Sequence, residues 1–166
     1  MKQHKASHDF LSRLRWPDVL FLFILPLLLA VLFTIAAYQL ECVVSAMGMM
    51  LNSVPIVSSI IMGFVATILV ASLSEAGVFL MMKNGTPDHQ ENMYPVFVSG
   101  LYFNLYVDIL LLAIIILCGP FIPVSEHNVV SALGVFAMAY LLLVSLFLFV
   151  KNMNRLFQVI CYINRK

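Results

Sequence analysis

The chain has 166 residues, of which 63% are hydrophobic and only 10% charged, with a net charge of +1 and a mean hydropathy of +1.03. A soluble domain carries roughly half apolar and about a quarter charged residues, so this composition excludes one. The net charge says little by itself, whereas its distribution along the chain is informative.

Residues 8–16, HDFLSRLRW, read as a short amphipathic lead-in, with Phe10, Leu11 and Leu14 on one helical face. Trp16 and the basic pair Arg13 and Arg15 suit the headgroup level. Pro17 fits a helix start, where its missing N–H is harmless. The first apolar span is expected at about 18–38, bent at Pro26. Its apolar run exceeds the 7–15 residues of a secretory signal core, so an uncleaved helix is expected.

The connection LECVVSAMGMMLNSVP is unusually apolar for a loop. It either continues the first helix, lies in the interface or contacts a neighbour, and its methionines suit an adaptable surface. The second span is expected at about 55–82. It carries Ser59, Gly63, Thr67 and Ala71 at four-residue spacing, leading to Glu75 on the same face. Small side chains let helix backbones approach closely, so this stripe reads as a helix–helix contact, within the chain or with another.

The polar loop 83–95 contains the turn signals Asn84-Gly85 and Thr86-Pro87, with Asp88 and Glu91. The third span, about 96–120, has a stripe of Gly100, Asn104 and Asp108, so Asn104 and Asp108 can bond each other or reach one neighbour together. The fourth, about 129–150, is nearly all aliphatic and aromatic, with Tyr140 and Ser145 as mild exceptions, and reads as the most lipid-facing element. The tail 151–166 is amphipathic, either extending the fourth helix or lying on the membrane surface.

Each span is long enough for ~30 Å of hydrocarbon, and no alternating pattern suggests a barrel. The fold class expected is therefore all-α: a polytopic membrane protein forming one domain over residues 1–166, a bundle of four transmembrane helices. Lys2, Lys5, Arg13 and Arg15 precede the first span, Lys83 lies in the middle connection, and Lys151, Arg155, Arg165 and Lys166 follow the fourth. The two other connections carry only Glu41 and Glu126. The positive-inside rule puts both termini and loop 83–95 in the cytoplasm.

Glu75 and Asp108 stand out chemically. A carboxyl near the bilayer centre costs roughly 2.5–3.5 kcal/mol on insertion scales, and no Lys, Arg or His lies within the spans to offset it. At 1.5 Å per residue Glu75 lies roughly 12 Å from Lys83, and Asp108 roughly 20 Å from Pro95. The difference of about 8 Å is too large for a shared-proton pair but suits steps along a path. Asp108, Asn104 and Glu75 are thus candidates either for an ion path or for polar interhelical contacts. Cys42 and Cys118 both fall on the outer side, where a disulfide is chemically permitted, while Cys161 is expected to be cytoplasmic.

No catalytic constellation, metal set or cofactor motif is evident. His4, His8, His89 and His127 lie outside the spans with no carboxylate or Cys at ligand spacing, His4 and His8 at i, i+4 reading as solvated tail, and no nucleophile elbow or phosphate-binding glycine loop occurs. In layout, a bare four-span chain with inward termini resembles the membrane subunits of bacterial antiphage systems of the Kiwa type. That resemblance implies a sensor acting with a cytoplasmic effector. Small multidrug transporters also have four spans, but their essential Glu lies in the first, which here is VLFLFILPLLLAVLFTIAAY. The short, Cys-poor outer loops are unlike those of tetraspanins.

The expected protein is a non-enzymatic, homo-oligomeric subunit of a bacterial inner membrane. Its partners are the lipid bilayer and a cytoplasmic protein reached through loop 83–95 and the tails, with no nucleic acid. The alternative is an oligomeric proton or cation channel or small transporter.

Overall fold

The computed structural model describes residues 16–72, 94–118 and 129–163. They form four helices: α1 (Trp16–Gln39), α2 (Val43–Ser72), α3 (Tyr94–Cys118) and α4 (Val129–Ile163). All four are long and apolar enough to cross a membrane, and no strand occurs among the described residues. Helices satisfy their backbone polar groups internally, which is what hydrocarbon demands.

Pro26 shapes α1 as a widened turn. Its ring removes one N–H and crowds the carbonyl four residues earlier. The helix responds with a π segment over Leu20–Ile24, in which the Leu25 N–H donates to the Leu20 carbonyl. At its far end Glu41 adopts φ 55°. The Cys42 N–H then reaches back to the Ala37 carbonyl at 2.9 Å and the Glu41 N–H to the Tyr38 carbonyl at 3.2 Å. That pairing is a Schellman stop, with glutamate where glycine is usual.

The apolar connection expected after the first span is therefore mostly helix. Only 40–42 link α1 to α2, and residues 43–54 form the first turns of α2, burying Val43, Met47 and Val54. Pro55, expected to open the second span, lies inside it. Residues 73–82 of that span, Glu75 among them, and most of loop 83–95 lie outside the described residues. The tail through Ile163 extends α4.

α4 is the hub of the bundle, which corrects its expected role as the most lipid-facing helix. It packs against α1, α2 and α3, whereas α1 and α2 barely touch. Of the most apolar stretch of α1 only 17% is buried, against 33% for α4. Composition could not rank them, because lipid tails and a neighbouring helix are equally apolar.

Three apolar layers hold the helices. One contains Val43, Met47, Val54, Leu111, Val135 and Met138. A second, toward the opposite end, contains Ile61, Val65, Phe97 and Leu101. The third docks α1 through Leu22 onto Val107, Val144 and Leu148. Phe21 adds a tilted contact with Phe147, ring centroids 4.8 Å apart. Tyr94 ties α3 to α2, its hydroxyl donating to the Ser72 carbonyl at 2.9 Å.

Candidate functional site

Between these layers sits a buried polar cluster drawn from three helices. Asp108 and Asn104 lie one turn apart on α3, so both side chains project from one face. Ser58 comes from α2 and Ser145 from α4, and all four residues are 0% exposed. Ser58 donates to Asp108 Oδ1 at 2.9 Å, and Ser145 donates to the same oxygen at 2.7 Å. Asn104 donates through Nδ2 to Asp108 Oδ2 at 3.2 Å and to Ser145 Oγ at 3.0 Å.

Every donor thus converges on one carboxyl. Ser145 is the relay: its hydroxyl hydrogen goes to Asp108 while its oxygen accepts from Asn104. The leftover group is an acceptor, Asn104 Oδ1, which is buried and has no hydrogen-bond partner. Interhelical hydrogen bonds in a bilayer average about 0.6 kcal/mol, so the two that reach the carboxyl from α2 and α4 contribute about 1.2 kcal/mol. That offsets under half of the roughly 2.5–3.5 kcal/mol insertion cost, and the bond from Asn104 on the same helix adds to the offset. The cluster is closed: Val54, Leu111 and Met138 cover one side, and Ile61, Val65 and Leu101 the other.

Of the residues singled out in the sequence, the structure brings Asp108 and Asn104 together, while Glu75 lies outside the described residues. The sequence pattern does not single out Ser58, and it marks Ser145 only as a mild polar exception. The expected small-residue stripe does not pack against another helix among the described residues. Ser59, Gly63, Thr67 and Ala71 are all exposed, and α2 buries the face of Val54, Ser58, Ile61 and Val65 instead. Ser58 and Ser59 differ by about 100° around the helix, and Asp108 selects the former. The cross-link expected as an option between Cys42 and Cys118 is not formed. Cys42 is a free, exposed thiol that donates to the Leu40 carbonyl at 3.1 Å, and the Cys118 side chain lies outside the described ones.

Two further features lie apart from this cluster. Where α1 and α2 diverge, a cavity of about 480 Å³ opens, lined by Phe33, Leu40, Met49, Met50 and Leu142. At the basic end, Lys151 of α4 forms an ion pair with Asp18 of α1. Among the described residues no three His, Cys, Asp or Glu side chains gather as a metal site. Comparison with protein families, with curated proteins and with solved structures finds no match to this chain.

Proposed function

We propose that this chain is a non-enzymatic integral membrane subunit that assembles with copies of itself and serves as sensor or anchor for a cytoplasmic partner. The observation that carries the reading is the small-residue face of α2. Ser59, Gly63, Thr67 and Ala71 all point away from their own bundle. Thr67 turns its hydroxyl back to the Gly63 carbonyl at 2.8 Å, which satisfies that donor within the helix. A close backbone approach by a second copy is the arrangement such a face favours. The internal cluster makes the protomer a fixed body on which that face is displayed. The basic residues at the ends of the first and fourth spans support inward termini, and the Kiwa-like layout gives the partner its class, a soluble effector in phage defence.

Gly63 offers the test. A Cβ at this position meets nothing within 4 Å, so Gly63→Leu leaves the protomer intact. The expected result is loss of the oligomer in native mass spectrometry or cross-linking, with unchanged protomer stability. An assembly unchanged by Gly63→Leu and by Ala71→Leu would remove this face from the reading.

Proton or cation handling is the second reading, and one observation favours it: the unpartnered Asn104 Oδ1 beside the carboxyl. Turning that amide over would aim an acceptor at Asp108 Oδ2, an arrangement that needs a proton on the carboxyl. Two arrangements of one network, differing by a proton, are what a proton-responsive element requires. Flux through wild type in liposomes, abolished by Asp108→Asn with assembly retained, would favour it over the anchor. Absent flux would reject constitutive conduction.

A further inference from the structure

The basic end of the bundle has a polar cluster of opposite character. Lys151, Asn152 and Arg155 fall within an arc of about 100° on α4. The arc continues the face of Val144 and Leu148, which docks on Leu22 of α1. Asp18, one turn before Leu22, pairs with Lys151. Donors then outnumber acceptors. Lys151 has three N–H groups, Arg155 Nη1 and Asn152 Nδ2 are buried atoms without a hydrogen-bond partner, and Asn152 is only 1% exposed.

A buried donor left unpaired costs about 1–3 kcal/mol, so several in one place call for an acceptor. Two cations against one acid also leave the cluster a net positive charge. Its depth is marked by Trp16, which is 78% exposed less than one turn before Asp18. An exposed Trp at the end of an apolar helix sits at headgroup level, where lipid phosphates lie. Lys151 and Arg155 are half-buried, so the rim of the cluster is open, while the Lys151 Nζ atom itself lies just beneath the surface, buried, with the Asp18 ion pair and no further hydrogen-bond partner.

We propose that Lys151, Asn152 and Arg155 form a phosphate-binding site whose ligand is the headgroup phosphate of an anionic phospholipid. A phosphodiester presents non-bridging oxygens that accept from several directions at once, and Arg and Lys are its usual partners. The net positive charge disfavours a headgroup that carries its own cation, which selects anionic lipids over phosphatidylcholine.

The test compares the purified full-length chain with phosphatidylglycerol, phosphatidylcholine and inorganic phosphate, read by native mass spectrometry and thermal shift. Preferential retention of phosphatidylglycerol is expected. Arg155→Gln and Asn152→Leu should each weaken it about tenfold, as expected for a lost hydrogen bond to a charged group, while Arg165→Gln should not. Asn152→Leu separates binding from folding. It removes an unpaired donor at similar volume, so lipid-free stability should hold or rise while the lipid-induced shift shrinks. Equal retention of both lipids, or wild-type binding by both variants, would overturn the proposal. Stabilisation by inorganic phosphate alone would assign the site to a free anion and overturn the lipid source. Loss of stability in Glu75→Gln, with no phosphatidylglycerol bound by wild type, would give the donors to an internal acid and likewise overturn it.

Discussion

The two polar clusters of this bundle are built from similar groups and differ in what is left over. In the core, three side chains aim donors at Asp108, and the residue of the pairing is one acceptor, Asn104 Oδ1. At the basic end, one acid faces two cations and an amide, and the residue is donors. The first is nearly closed on itself and fully buried; the second is open at its rim and incomplete without an acceptor. A polar group inside an apolar bundle therefore says little until its pairing has been counted. The core count points to a lock among α2, α3 and α4, and the basic-end count to a ligand.

The sharpest way to break that contrast is to remove its centre. Asp108→Ala deletes the acceptor of three hydrogen bonds and leaves Ser58, Ser145 and Asn104 facing a void. We expect a loss of about 2–3 kcal/mol in unfolding measured in bicelles, the largest effect of any substitution considered. This loss should be independent of salt, because the cluster is sealed from solvent. A loss below about 0.5 kcal/mol would mean that apolar packing alone orders these helices.

The ion pair should behave differently. A double-mutant cycle on Asp18→Asn and Lys151→Gln is expected to give a coupling of about 1 kcal/mol or less, since both side chains retain accessible surface. Raising ionic strength from about 0.05 to 0.5 M should shrink it, whereas the Asp108→Ala loss should not move. Equal salt sensitivity at the two sites would show that the core cluster is wetter than its burial implies.

The four spans were legible because length and hydropathy are set by the bilayer itself. α1 and α3 fall within about two residues of the expected bounds. The start of α2 was not legible, for two reasons. Ser45, Gly48, Asn52 and Ser53 dilute the apolar signal, and Pro55 resembles a first-turn proline although α2 runs through it. The rank of α4 was hidden because hydropathy measures affinity for any apolar surrounding. Asp108 and Asn104 stood out by chemistry alone. Their partners did not, since a serine in a transmembrane helix is common and shows its role only when a carboxyl stands opposite. The basic-end cluster was equally hidden: Lys151 and Arg155 read as topology signals, and Asn152 as one polar residue of a tail.

The finest distinction lies inside the core cluster, between its two serines. Both donate to Asp108 Oδ1 with similar geometry, at 2.9 Å from Ser58 and 2.7 Å from Ser145. A view that counted only bonds to the carboxyl would rank them as equals, each worth about 0.6 kcal/mol. Ser145 also accepts from Asn104, so its removal strands an amide N–H as well as a carboxylate lone pair. Ser145→Ala should therefore cost about 1 kcal/mol, and Ser58→Ala nearer 0.6 kcal/mol. The difference should vanish in an Asn104→Leu background, where Ser145 no longer has an amide to serve. A Ser145 excess that persisted there would locate the added cost in helix packing around α4 and remove the relay from the description of the cluster.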